Sequence, residues 1–262
     1  TQSESYREEI SRSYESMRLR HASTKKRERM PLEKARSESL RIDFQKEPPP
    51  EPRKPGVHVF KNVAVETLRP FIDWSPFFST WEIHGQYPAI LDCPERGESA
   101  RSLFQDAQQT LERIEKEEWL LPSAICGIWP ARRIGDDVGV QVDRCCQVLR
   151  ERFHFLRQQA PKSSGRASIC LSDFLRDHDD HIGAFVVQAG HGAQERVDTY
   201  KREGDDYNAI LLESLADRLA EACAEWLHHQ VRTNLWGYSP NEELNKEQII
   251  QEGYQGIRPA PG

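Results

Sequence analysis

At 262 residues the chain is long enough for one large domain or two small ones, and 37% hydrophobic content with a mean hydropathy of −0.75 leaves part of it solvated. A formal net charge of −6 argues against nucleic acid as the partner of the chain as a whole. No apolar run approaches the ~20 residues of a membrane span, and the charged first residues lack an apolar leader core, so a cytoplasmic protein with no membrane partner is expected.

Residues 1–46 are dense in Arg, Lys and Glu at three- and four-residue offsets, the pattern of an exposed helix. The basic run Lys25, Lys26, Arg27 and Arg29 is short and flanked by acids, so a solvated helical linker explains it better than a nucleic-acid arm. EPPPEPRKPG (47–56) places five prolines in ten residues, an extended spacer. It marks a boundary between a charged linker, 1–55, and a compact domain, 56–262.

VHVFKNVAVETLRPFI begins β-rich and turns helical, and IDWSPFFSTWEIHG is the most aromatic stretch. Residues 98–120 predict an amphipathic helix, with Ala100, Leu103, Phe104, Ala107, Leu111 and Ile114 on one face. AICGIWPA (124–131) reads as a buried strand and DDVGVQVD (136–143) as its sheet partner; 145–159 fits a strand running into a loop or a helix. IGAFVVQA is a further buried strand, and 205–237 a long helix with an apolar stripe. In SPNEELNKEQIIQEGY, Ser239 as cap, Pro240 at the first helical position and Glu242 as reciprocal partner predict a helix start. Few strands and long helices, without regular βαβ units, give an α+β fold: a modest, mainly antiparallel sheet wrapped by helices.

Candidate chemistry is sparse. HDDH (178–181) offers metal-ligand types, but the spacing fixes no third partner and a solvated loop is the simpler reading. His228 and His229 are neighbours ~100° apart on a helix and read as charge near its C-terminus. Cysteines 93, 126, 145, 146, 170 and 223 form no CxxC pair and read as reduced, buried thiols. No nucleophile with a local base signature is present, so no catalytic residue is assigned. Asp73, between Ile72 and Trp74, is costly to bury alone and requires a cation: Arg218, Arg258 or a ligand ammonium. The terminal YQGIRPAPG is a rigid irregular segment whose backbone groups are free to meet a ligand.

In order, RPFIDWSPFFSTWEIHGQYPAIL, GIWPARRIGDDV, LRQQ, CLSDF, DHIGAFVV, GDDYNAILLESLADRLAEACAEWLH and YQGIRPAPG resemble the C-terminal activation domain of cobalamin-dependent methionine synthase. The likeness covers 56–262, and 1–55 resembles the linker from that enzyme's cobalamin-binding domain. The resemblance implies binding of S-adenosylmethionine at Asp73, at Arg258 with Pro259, Ala260, Pro261 and Gly262, and at Glu221 and Glu252, which otherwise read as a solvated helix face. It implies a role in reductive remethylation of cob(II)alamin, with cobalamin held by the neighbouring domain, an electron from a flavodoxin or flavodoxin-like reductase, and zinc only in a distant domain. A separately encoded binding module acting in trans on a cobalamin protein is the other reading. In the family the terminal loop continues into further chain, so a fragment cut at both ends is expected.

Overall fold

Alternating small and branched residues in SAICGIWPARRI draw the chain into one long strand, β2 (Ser123–Ile134), and the sheet is arranged around it. The computed structural model describes residues 2–23, 29–143, 148–162 and 165–257. β1 (Gly56–Phe60) pairs with 124–128 of β2 and β3 (Asp137–Gln141) with 131–134. β5 (Asp180–Gln188) runs against 123–131, and β4 (Leu149–His154) lies outside β3. Every one of these pairings is antiparallel, and 145–159 resolves, where described, into a strand followed by a loop. Cys145 and Cys146 lie outside the described residues.

The helices described are α1 (Gln2–Ser23), α2 (Leu32–Ser37), α3 (Val65–Leu68), α4 (Trp74–Thr80), α5 (Gly97–Glu117), α6 (Ala193–Glu203), α7 (Asp206–Gln230) and α8 (Lys246–Ile250). On α5, Ala100, Leu103, Ala107, Leu111 and Ile114 are all buried, the face its spacing predicts. α7 buries Leu211, Leu212, Leu215, Leu219, Cys223 and Leu227 in one core with Ala124, Cys126 and Ile128, alternate residues of β2. Trp74, Phe77, Phe78, Tyr87 and Phe104 extend this core; Trp74 meets Phe104 edge-on at 4.9 Å. Each fully buried Phe or Leu contributes ~1.5–3 kcal/mol by leaving water. On the outer face of the sheet Gly127 makes room for Trp129, whose ring lies 2.0 Å from where a Cβ would stand.

Three local expectations are corrected. The helix expected from Ser239 begins instead at Lys246, capped by Asn245 in a reciprocal box with Gln248. Glu242 is unavailable as a cap partner because the buried Arg232 binds both its oxygens, at 2.8 and 2.6 Å. The long helix ends at Gln230 and widens into a π-turn, Val231–Leu235. HDDH is not one solvated loop: His178 is exposed, whereas Asp180 and His181 open β5 and are buried. The Asp180 carboxylate accepts from the Arg176 and His181 amides at 2.8 Å each.

α1 is exposed wherever its side chains are described, but from Met30 onward the segment read as a linker is held by the domain. Met30 N donates to Gln159 O at 2.8 Å, Lys54 N to Leu235 O at 2.9 Å, and the Trp236 indole to Pro50 O at 2.7 Å. These contacts cross the boundary placed at 55. Arg157, with 1% of its side chain exposed, is their electrostatic anchor. It donates to Asp173 at 2.8 Å from two nitrogens, to Asp136 at 2.7 Å and to Ser168 O at 2.7 Å; Asp136 in turn holds Arg36 at 2.7 Å. Burial alone would raise the Asp173 carboxyl pKa; the Arg157 hydrogen bonds more than offset this and hold it below the ordinary range.

Removing one partner of a buried pair strands the others. Arg157→Met is therefore expected to cost about 3–5 kcal/mol in urea unfolding, against under about 1 kcal/mol for Arg36→Ala, whose side chain is 55% exposed. Equal midpoints for the two variants would contradict this anchor.

Candidate functional site: the polar face of the long helix

An amphipathic helix normally shows its charged face to water. On α7 and the π-turn after it, Arg218, Glu221, Glu225, His228 and Arg232 recur at three- and four-residue steps, and this polar stripe is covered. Arg218 is 8% exposed, Glu225 4% and Arg232 0%. The cover comes from the 3-10 turn Arg69–Phe71, through Phe71, and from the chain after α8, through Tyr254. α7 packs on that turn and on α4, and α8 packs on the same turn. Phe71 meets His229 at 6.0 Å, and Tyr254 meets His228 edge-on at 5.1 Å.

Asp73 stands between the 3-10 turn and α4. Its Oδ1 accepts from the Ser75 amide at 3.0 Å, capping α4. Arg218, one cation considered for Asp73, is engaged by Glu221 at 2.7 and 3.1 Å and by Asp217 at 2.9 Å. Glu221 is therefore not part of a solvated face: it is 25% exposed and oriented by a fork of guanidinium hydrogen bonds. Glu252 is exposed, at φ 57° in the turn that leaves α8, where Gly253 N bonds back to Gln248 O at 2.8 Å. Thus Asp73 and Glu221 sit on elements packed together, and Glu252 follows a helix packed on the turn before Asp73. Arg258, Pro259, Ala260, Pro261 and Gly262 lie outside the described residues.

His228 and His229 do not act as charges near a helix end. Burial, then the neighbouring Arg232, lowers the His228 pKa from 6.5 to about 4, and burial lowers His229 as well. Arg232 donates to His228 Nδ1 at 2.7 Å, so the proton of the neutral ring resides on Nε2. His228 also lines an apolar cavity of about 320 Å³ with Cys126, Ile128, Phe185, Leu227, Val231 and Trp236. That cavity has no charged side chain to hold an ionic ligand; the acidic groups around Asp73 and Glu221 do. Among the described residues no group of three or more His, Cys, Asp or Glu is placed to bind a metal ion.

Sequence reading missed Glu225, His228, Arg232 and Tyr254 as one assembly. The available signal was an ionic residue at every turn on one side of an otherwise apolar helix. Because the folded His228 pKa lies below its unfolded value, the unfolded chain takes the proton first, and stability falls as pH drops from 6.5 toward about 4. His228→Gln is expected to flatten that slope in urea midpoints measured across the window; an unchanged slope would contradict the assignment.

The family model described as "Vitamin B12 dependent methionine synthase, activation domain" matches residues 64–262. Among solved structures, the MetH reactivation domain bound to AdoHcy is similar at 43% identity and a TM-score of 0.86, over 89% of this chain and 73% of that one. The matched residues take in β2 to β5 and the elements that carry Asp73 and Glu221. This chain belongs to the family of activation domains of cobalamin-dependent methionine synthase, a methyltransferase family.

Proposed function

We propose that the chain binds S-adenosylmethionine between the start of α4 and the polar face of α7, and offers its methyl group to a cobalamin held by a neighbouring domain, with residues 1–55 leading from that domain. The observation that supports this reading is that Asp73 begins α4 and Glu221 stands on α7, two elements packed on each other, in a fold whose solved relative holds AdoHcy. The donor set fits. S-adenosylmethionine bears a sulfonium and an α-ammonium, which carboxylates stabilise, and a carboxylate suited to the planar fork of Arg258. Glu252 flanks the approach, and Pro259, Ala260, Pro261 and Gly262 supply backbone groups with little ordering cost.

The bound cobalamin would supply a reduced cobalt nucleophile that takes a methyl from the sulfonium. No proton moves in that transfer, so the chain requires no acid or base. Its residues hold the ligand, fix the direction of the methyl and keep it in place for the corrin to meet. One electron from a flavodoxin or flavodoxin-like reductase would first bring cob(II)alamin to that reduced state, and S-adenosylhomocysteine would leave as a neutral thioether. Among the described residues no helix is long and apolar enough to cross a membrane; we place the protein in the cytoplasm, where the buried Cys126 and Cys223 stay reduced.

Asparagine caps helices about as well as aspartate, so Asp73→Asn removes charge while keeping the start of α4. It is expected to weaken S-adenosylmethionine binding by ~1–3 kcal/mol in calorimetry without moving the urea midpoint, and Glu221→Gln to do the same. Unchanged affinity in both would sink the site.

A further inference from the structure

Arg232 has a position that stability alone does not explain. It is fully buried in the π-turn after α7, and replacing a buried ion pair with well-packed apolar residues is often neutral or better for stability. Apart from the hydrogen bond to His228, its described contacts point toward the chain after the π-turn. Its fork holds Glu242 with two hydrogen bonds, at 2.8 and 2.6 Å, fixing the turn at 239–244. Its backbone carbonyl accepts from Ser239 N at 2.9 Å. The guanidinium carbon lies over the Tyr254 ring, 4.0 Å from its centroid. Tyr254 is 7% exposed, with its hydroxyl 3.5 Å from Glu225 Oε2.

Tyr254 is the last buried side chain described before Arg258. Beyond it Gln255 and Ile257 are exposed, and Gly256 turns at φ 121°, a conformation open to glycine, beside Tyr238 and His228. Four residues reach at most ~14 Å. Fixing the Tyr254 ring therefore fixes the last described stretch of chain before Arg258.

We infer that Arg232 is the positioning residue of the ligand site: its planar guanidinium, set by Glu242 and His228, clamps Tyr254 and so fixes residues 253–257, the stretch that leads to Arg258. The inference rests on the S-adenosylmethionine reading above. It adds a residue that touches no ligand but holds the approach to those proposed to touch it. Geometry rather than charge is what the site uses, because a lysine ammonium supplies the charge without the fork or the flat face.

The test uses the whole chain with three variants. Arg232→Lys keeps the charge and removes the plane. Tyr254→Leu removes the ring and leaves the Arg232–Glu242 pair, which covers the case in which Arg232→Lys does not fold. Asp73→Asn serves as the contact variant. Hydrogen exchange is read at amides 253–257 and in β2, and S-adenosylhomocysteine affinity is read by calorimetry. Arg232→Lys and Tyr254→Leu are expected to speed exchange at 253–257 with β2 unchanged, and to weaken binding by ~tenfold or more. Asp73→Asn is expected to weaken binding with exchange at 253–257 unchanged. Unaltered exchange in the clamp variants, or faster exchange with unaltered affinity, overturns the clamp while leaving the site standing if Asp73→Asn still loses affinity. A wild-type chain that binds nothing overturns the site reading and with it the clamp's role in binding.

Discussion

Helix α7 has to be buried on two sides at once, and the rest of the domain follows from how that is done. One side is apolar and lies in the core it shares with β2. The other carries Arg218, Glu221, Glu225, His228 and Arg232 and is covered by a 3-10 turn and the chain after α8. Burying ions is costly unless they are paired and hydrogen-bonded. Each ion described on that side therefore has a partner within reach: Arg218 with Glu221, Arg232 with Glu242, Glu225 with Tyr254. Those pairings decide where the turn at 239–244 and the terminal segment run. A helix with a plain solvated face would leave both without an anchor.

On the proposed reading this arrangement holds a ligand rather than supplying a catalytic acid or base. On that reading the carboxylates of Asp73 and Glu221 suit a cationic methyl donor. Methyl transfer from a sulfonium calls for placement, not proton transfer. His228, the titratable group in the middle of the stripe, is held neutral by burial and by Arg232, so its charge does not compete with such a ligand. A second anchor, Arg157 with Asp136 and Asp173, ties the segment from Met30 onward to the far end of the sheet.

Much of the architecture was legible because periodicity reports burial. The α5 face, the β2–β3 pairing and the apolar side of α7 all followed from spacing. Local motifs failed where a distant partner outbid the local one. Ser239 and Glu242 form a good capping pattern, but Arg232 claims the glutamate from ten residues away, and the helix starts at the next box, Asn245 with Gln248. HDDH was misread for the same reason, since pairing with β2 carries its second half into the sheet. Asp73 was legible as an acid in an aromatic setting, but not as a helix cap. The Arg232 assembly was illegible because its members lie at 225, 228, 232, 242 and 254, and only the fold brings them together.

The most direct measurement is a two-dimensional amide NMR titration of the chain with S-adenosylhomocysteine, reading which signals move. Shifts concentrated at Asp73 to Ser75, around Glu221 and along 252–257 are the result expected for a ligand on the polar face of α7. Shifts confined to Gly183 to Phe185 and Trp236, which line the apolar cavity on the sheet side, or no shifts at saturating ligand, would contradict it.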